Sequence, residues 1–247
     1  SHLTPDDYIF TVTDKDGDSA TGTVTFDSED MHEPSAEPDS GVVDEAALAD
    51  GSNAGSTAER TTGLLSFSGN GDAVVLSVAG TLITAANDSA NGGVGTLIAG
   101  EYGNLYVKSD GSWTYDLVDN TTDHTDPNKT GVEDQVQDIF DFSVTDGDGN
   151  TASSTLTIDV NDDGPSARDE GTVKVDEGDF VVGQFDFVEG ADGATVTAIN
   201  GEALKFGADG WSQVINGAQG GLQVKEGGSY RFTAADDSSH LTPDDYI

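Results

Sequence analysis

An all-β fold built of β-sandwich domains is predicted by three features of the sequence. Apolar and polar residues alternate in short runs, glycine-centred dipeptides separate those runs, and the pattern repeats along the chain. The alternation is cleanest at residues 140–144 and 156–160, and the same period runs through 64–67, 74–78, 105–107, 113–117, 185–188 and 195–199. A period of two sends alternate side chains to opposite faces, so each run reads as a strand with one buried face. The runs are rich in Val, Thr, Ile, Phe and Tyr, which suit a pleated, half-buried surface. Asn70-Gly71, Asp110-Gly111, Asp192-Gly193 and Asn200-Gly201 supply the tight turns between them. One short helix is expected, at residues 44–49.

Charge is the next constraint. Nine Lys and Arg face 47 Asp and Glu, a formal net charge of −38 over 247 residues. A compact state so unbalanced repels itself unless cations offset the repulsion. Disorder is the weaker account, because 34% of residues are apolar and fall into strand-like runs. Nucleic acid and anionic membrane surfaces are excluded as partners, since no basic patch exists to meet phosphates. No apolar run approaches the ~20 residues that span a bilayer. The N-terminus lacks a charged segment followed by an apolar one, so the chain reads as an internal piece of something longer. Cysteine is absent, and a secreted chain without disulfides needs another staple. Ca²⁺ suits the composition: hard oxygen donors abound, thiolates are missing, and histidines number four.

Repetition organises the chain at two scales. Residues 1–9 recur letter for letter at 239–247, an offset of 238. Within that period, residues 8–27 align with 140–159, and residues 104–115 align with 221–232. One period therefore holds two related domains. Residues 1–30 read as the C-terminal strands of a preceding split sandwich and 31–165 as a complete domain. Residues 166–247 read as the N-terminal part of the next sandwich, lacking its last strands. The pieces 1–30 and 166–247 are complementary, and head-to-tail pairing between chains is expected of them. About seven short strands per domain with regular turns is the pattern of an immunoglobulin-like sandwich, here without the cysteine pair.

The acidic motifs fall at the ends of these strands. Asp14, Asp16 and Asp18 in one hairpin loop, and Asp146, Asp148 and Asn150 in its counterpart, place oxygen side chains at alternate positions with glycine between. That is what a Ca²⁺ loop requires. Both resemble the opening of an EF-hand, but the sixth position is Ser19 or Thr151 and no glutamate follows at the twelfth, so an EF-hand is rejected. A second cluster follows each last strand: Asp27, Glu29 and Asp30, and then Asn161, Asp162 and Asp163 ahead of Gly164-Pro165. Crowded carboxylates make a poor linker unless a cation neutralises them. Sandwich topology is expected to bring Asp146, Asp148 and Asn150 near 27–30, and to set Asn161–Asp163 against a 14–18 loop of a following copy. Asp44-Glu45, Asp169-Glu170 and Asp176-Glu177 are secondary candidates.

Val144-Thr145-Asp146-Gly147-Asp148-Gly149-Asn150-Thr151-Ala152, followed by a strand and Val160-Asn161-Asp162-Asp163-Gly164-Pro165, resembles the repeat ending of giant bacterial RTX adhesins and of related VCBS or cadherin-like proteins. The resemblance is specific at 8–30 and 138–165. It implies immunoglobulin-like extender domains with calcium at the linkers, neighbouring extender domains as partners, and type I secretion to the bacterial surface. It also implies outer-membrane anchoring through another part of the protein and a spacer role in biofilm attachment. The glycine-rich nonapeptide that names the RTX proteins does not occur.

Two other readings compete with this one. An enzyme is disfavoured: no His-Glu-x-x-His, phosphate loop or nucleophile elbow is present. His2, His32, His124 and His240 read as exposed loop histidines. A glycan-binding module would use Trp113, Tyr115, Tyr102 and Tyr106 as a stacking platform. Against it, Trp113 and Tyr115 align with Tyr230 and Phe232, as packing positions do.

Overall fold

Alternation of apolar residues becomes a ladder of short strands in the computed structural model, which describes residues 4–28 and 32–236. In chain order these begin with β1 (Asp6–Thr13), β2 (Ser19–Phe26), β3 (Ser35–Ala36), β4 (Asp39–Asp44), β5 (Arg60–Leu64), β6 (Phe67–Ser68) and β7 (Val74–Val78). There follow β8 (Thr81–Leu82), β9 (Thr96–Ala99), β10 (Gly103–Val107), β11 (Ser112–Leu117), β12 (Gly131–Asp146) and β13 (Thr151–Asp162). The last are β14 (Ser166–Ala167), β15 (Phe180–Gln184), β16 (Phe187–Val188), β17 (Ala198–Ile199), β18 (Glu202–Ala203), β19 (Ile215–Asn216), β20 (Gly220–Val224) and β21 (Ser229–Ala234). The described residues are almost all strand, turn and loop, with two short 3₁₀ turns. Two units divide it: Ser1–Val43 with Arg60–Val118 and Gln137–Val160, and Asp44–Glu59 with Asp119–Val136 and Asn161–Ile247.

The first unit holds a sandwich of two sheets, with strand orders β5-β11-β10-β9 and β4-β13-β12-β7-β8. Leu105, Val107, Trp113, Tyr115 and Leu117 from one sheet are buried, as are Leu76, Val78, Phe140, Phe142, Val144, Leu156, Ile158 and Val160 from the other. Tyr115 meets Phe140 edge to face across the sheets, with ring centroids 6.2 Å apart. Burial of these side chains, each contributing about 1.5–3 kcal/mol, is what holds the layers together. Asp138 is buried in the same core and accepts hydrogen bonds from Glu101 N (2.7 Å), Tyr102 N (3.1 Å) and the Tyr115 hydroxyl (2.5 Å).

The Trp113 ring lies over β5, where its register partner is Gly63. A Cβ placed at Gly63 would stand 2.4 Å from the indole, closer than packed atoms approach. Gly63→Ala is therefore expected to cost about 1–3 kcal/mol by overpacking. A urea midpoint within error of wild type would refute this role.

The second unit repeats one sheet of this plan, as β15-β21-β20-β19. Leu222 pairs with Phe232 as Leu105 pairs with Tyr115, and Val224 with Tyr230 as Val107 with Trp113. Gly183 faces Tyr230 as Gly63 faces Trp113, and its added Cβ would fall 2.2 Å from the ring. Ile199, Ile215, Leu222 and Val224 form the buried centre, with Phe185, Val196, Leu204, Tyr230 and Phe232 partly buried around it.

Several expected runs are shorter than the alternation suggested. The run 64–67 is broken, because Leu65 leaves the ladder, donates its N–H to Gly111 O and buries its side chain. Of 185–188 only Phe187–Val188 is strand, and of 195–199 only Ala198–Ile199. The expected helix at 44–49 is one 3₁₀ turn, Glu45–Ala47, capped by Asp44 Oδ1 on Ala46 N at 2.9 Å.

Candidate metal centres

A buried polar cluster in the second unit gathers residues far apart in sequence. The Asp44 cap fixes the turn that carries Glu45, which is fully buried. Glu45 Oε1 accepts the Thr121 N–H at 2.6 Å, while Oε2 has no hydrogen-bond partner. His124, with its side chain only 5% exposed, brings Nε2 to 3.6 Å from that oxygen, and neither ring nitrogen has a partner. One ligand atom each from Glu45, His124 and Asp162 lies within 4.8 Å of the other two.

Asp162 is held there by its neighbours in the chain. Asn161 Oδ1 accepts from Gln135 Nε2 (2.6 Å), and its Nδ2 donates to Asp44 Oδ2 (3.3 Å). Asp163 accepts from Ser52 N (2.7 Å) and Ser52 Oγ (2.5 Å). Asn161 is thus tied to strands β12 and β4 and Asp163 to the loop at Ser52, and the middle residue joins the cluster.

Electrostatics in this cluster are those of a site short of positive charge. Burial pushes the Glu45 carboxyl up to about 7, against the opposing Thr121 N–H and His124, with Asp192 and Asp162 adding to the rise. Burial also raises Asp162. His124 opposes that rise, and Asp134, Asp192 and Asp163 reinforce it. Orphaned buried acceptors and mutually repelling carboxylates are groups that a divalent cation would satisfy. The carboxylates fit calcium, and the imidazole does not belong to calcium's oxygen donor set. A borderline ion such as Zn²⁺ would accept all three donors.

The second grouping is the β1–β2 loop, where ligand oxygens of Asp14, Asp16 and Asp18 also lie within 4.8 Å of one another, all exposed. Asp14 Oδ1 accepts from Gly17 N (3.0 Å) and Asp18 N (2.9 Å), with Gly17 at φ 100°. The Asp16 side chain, then the backbone N–H groups of Asp18, Gly17 and Asp16, hold the Asp14 carboxyl below its ordinary value. This donor set is all oxygen and open to solvent.

The β12–β13 loop has the same backbone but another arrangement. Asp146 is buried and spends its oxygens on its own loop: Oδ1 accepts from Asp148 N and Asn150 N at 2.9 Å, and Oδ2 from Asn150 Nδ2 at 3.1 Å. Burial works to raise its carboxyl, yet the Asn150, Asp148 and Gly149 contacts hold it below the ordinary value. Asn150 replaces the third carboxylate of the other loop. Asp27 is among the described residues, whereas Glu29 and Asp30 lie outside them.

One sequence expectation is corrected. His124 is not an exposed loop histidine but is enclosed beside Glu45, because the 119–126 segment folds over the 3₁₀ turn and donates Thr121 N–H to it. The packing expected of Trp113 and Tyr115 holds: both are core residues, and the indole N–H is donated to Asp39 Oδ2 at 2.8 Å. Asp44-Glu45 stood only as a secondary candidate, and no local signal marked His124.

No family model matches the chain, and no curated protein does either. Similarity to solved structures is distant. The N-terminal eight immunoglobulin domains of Down syndrome cell adhesion molecule align over 95% of this chain and 32% of theirs, at 12% identity and a TM-score of 0.34. Cadherin domains 1–4 of a gamma-B3 protocadherin align over 93% of this chain and 55% of theirs, at 12% identity and a TM-score of 0.34. A Bacteroides ovatus surface glycan-binding protein in complex with a mixed-linkage heptasaccharide aligns over 87% of this chain and 42% of its own, at 12% identity and a TM-score of 0.26. The chain spans about a third to three-fifths of the first three such structures. Among the described residues, no helix is long and apolar enough to cross a membrane.

Proposed function

We propose that this chain is a structural extender segment of a bacterial surface adhesin of the RTX class, stiffened by calcium, with no catalytic role. In this reading, 31–165 is a complete immunoglobulin-like extender domain, 1–30 closes a preceding copy and 166–247 opens the next. The whole protein reaches the cell surface by type I secretion and presents a distal binding domain for attachment. The observation that carries the reading is the crowding of the Glu45 and Asp162 carboxylates, with Asn161 tied to β12 through Gln135 and Asp163 tied to Ser52. An acidic segment so placed is held rigidly if a cation is present and pushed apart by its own charge if none is. The all-oxygen loop of Asp14, Asp16 and Asp18 adds a second calcium position. Carriage of −38 charges by a chain without disulfides accords with such dependence.

Thermal unfolding and small-angle X-ray scattering test this, first in about 5 mM Ca²⁺ and then in excess chelator. That concentration exceeds the ~10⁻⁴–10⁻³ M dissociation constants of extracellular calcium modules. Tenfold saturation of one site contributes about 1.4 kcal/mol, so a rise of several degrees with calcium is expected, together with a narrower distribution of chain dimensions. Unchanged melting and scattering would overturn the reading. If Zn²⁺ raised the melting temperature where calcium did not, the centre would belong to a borderline ion held through His124.

A further inference from the structure

The apolar hairpin β1–β2 and the open sheet of the second unit have complementary surfaces. Aligned by sequence, Tyr8, Phe10, Val12, Val24 and Phe26 correspond to Phe140, Phe142, Val144, Leu156 and Ile158 of β12 and β13. The latter five are 0–4% exposed, because they pack on the sheet that carries Trp113 and Tyr115. The hairpin's five are 40–61% exposed. Bare apolar area on this scale marks an interaction surface.

The second unit presents the other half of the arrangement. Its β15-β21-β20-β19 sheet reproduces the Trp113 sheet in register, yet among the described residues nothing corresponds to β12 and β13. Beside it lies a cleft of about 1260 Å³, lined by Val181, Phe185, Ile199, Leu222, Tyr230 and Phe232 among others. Tyr230 and Phe232 are only partly buried, whereas Trp113 and Tyr115 at the matching positions are wholly covered.

We infer that the cleft of the second unit is a docking site for the β1–β2 hairpin of a second copy of this chain, which seats Tyr8, Phe10, Val12, Val24 and Phe26 against Tyr230 and Phe232. The recurrence of residues 1–9 at 239–247 supports the hairpin sequence as the occupant, an argument that rests on the array reading proposed above. The union is heterologous, hairpin to cleft, so each pair leaves one hairpin and one cleft for further copies.

Register follows from a second correspondence. The β7–β8 turn at Ala79-Gly80 has φ 45° and 75°, and the β17–β18 turn at Asn200-Gly201 has φ 51° and 75°. Val78 pairs with Thr81 as Ile199 pairs with Glu202, so Ile199 stands where Val78 does. Phe142 lies opposite Val78, and Ser143 opposite Ser77. In the docked pair Phe10 therefore lies opposite Ile199, and Thr11 opposite Ala198.

The absence of cysteine makes this register directly testable. Opposed strand residues stand about 4.5–5.5 Å apart at Cα, within disulfide range. Thr11→Cys and Ala198→Cys, prepared as separate single variants, are mixed in calcium at about 0.15 M salt, which limits repulsion between the acidic chains. On mild oxidation a reducible heterodimer is expected, forming at least about tenfold faster than with Thr11→Cys and Glu226→Cys. Phe10→Asp, placed on the exposed hairpin, is expected to abolish concentration-dependent association by sedimentation without lowering the melting temperature. Equal cross-linking in the two mixtures would overturn the proposal. So would a Thr11→Cys/Ala198→Cys double variant that closes only within single chains, since the cleft would then take its own hairpin.

Discussion

Replacing Glu45 by glutamine is expected to stabilise the ion-free protein at pH 8 and, in the same variant, to remove the share of any calcium gain that comes from the Glu45 cluster, leaving that of the Asp14, Asp16 and Asp18 loop. The carboxyl takes its proton near the ordinary 4.5 when unfolded and at about 7 when folded. Because the folded state binds this proton more tightly, the stabilisation is complete below pH 4.5 and is lost as pH rises to 7. Above that, the fold holds a charge which the unfolded chain would keep in water. At 1.36 kcal/mol per unit of pKa, the loss is roughly 3 kcal/mol. Glutamine retains an acceptor oxygen for Thr121 N–H and carries no charge, so it escapes the penalty. It also removes one of the three proposed ligands, so calcium bound at the cluster should lift the variant less than wild type. In chelator, the wild-type melting temperature should fall across pH 4.5–7 more steeply than that of the variant. A variant less stable than wild type at pH 8 without ions would contradict this account.

Asp138→Ala should be among the most damaging substitutions in the first unit, at about 3–5 kcal/mol. The buried carboxylate accepts two backbone N–H groups and the Tyr115 hydroxyl, and truncation leaves all three donors without their acceptor. Burial first, and Asp138 second, push the Tyr115 phenol above its ordinary value, so it remains a donor. Tyr115→Phe should cost less, about 1–2 kcal/mol, because it removes only one of the three bonds. The comparison is read from urea midpoints at unchanged slope. An Asp138→Ala cost under 1 kcal/mol would mean that water or a neighbouring acceptor replaces the carboxylate.

The strands were legible where a local pattern also governs packing. The run 74–78 and the alternations at 140–144 and 156–160 lie within strands because both faces of those segments meet what their side chains require. Periodicity failed at Leu65, whose burial depends on a bend, and at 195–199, where strand is confined to the turn-proximal pair. Of the acidic residues, Asp162 was visible as part of a crowded linker. Of its companions, Glu45 was visible only within the Asp44-Glu45 pair and His124 not at all: one sits on a 3₁₀ turn and the other between strands, and burial of such segments leaves no period in sequence. The equal spacing of aspartates in the two hairpin loops likewise concealed that Asn150 turns back onto Asp146.

The glycine beneath each aromatic has a consequence for how copies of this sheet diverge. Gly63 with Trp113, and Gly183 with Tyr230, occupy the same register in the two units. Above the glycine the aromatic is free to drift, as the tryptophan and tyrosine show. Below it, no side chain can be gained while the ring remains. A larger residue at the glycine therefore needs a smaller ring above it, so the two positions have to be exchanged together for the sheet to stay unstrained.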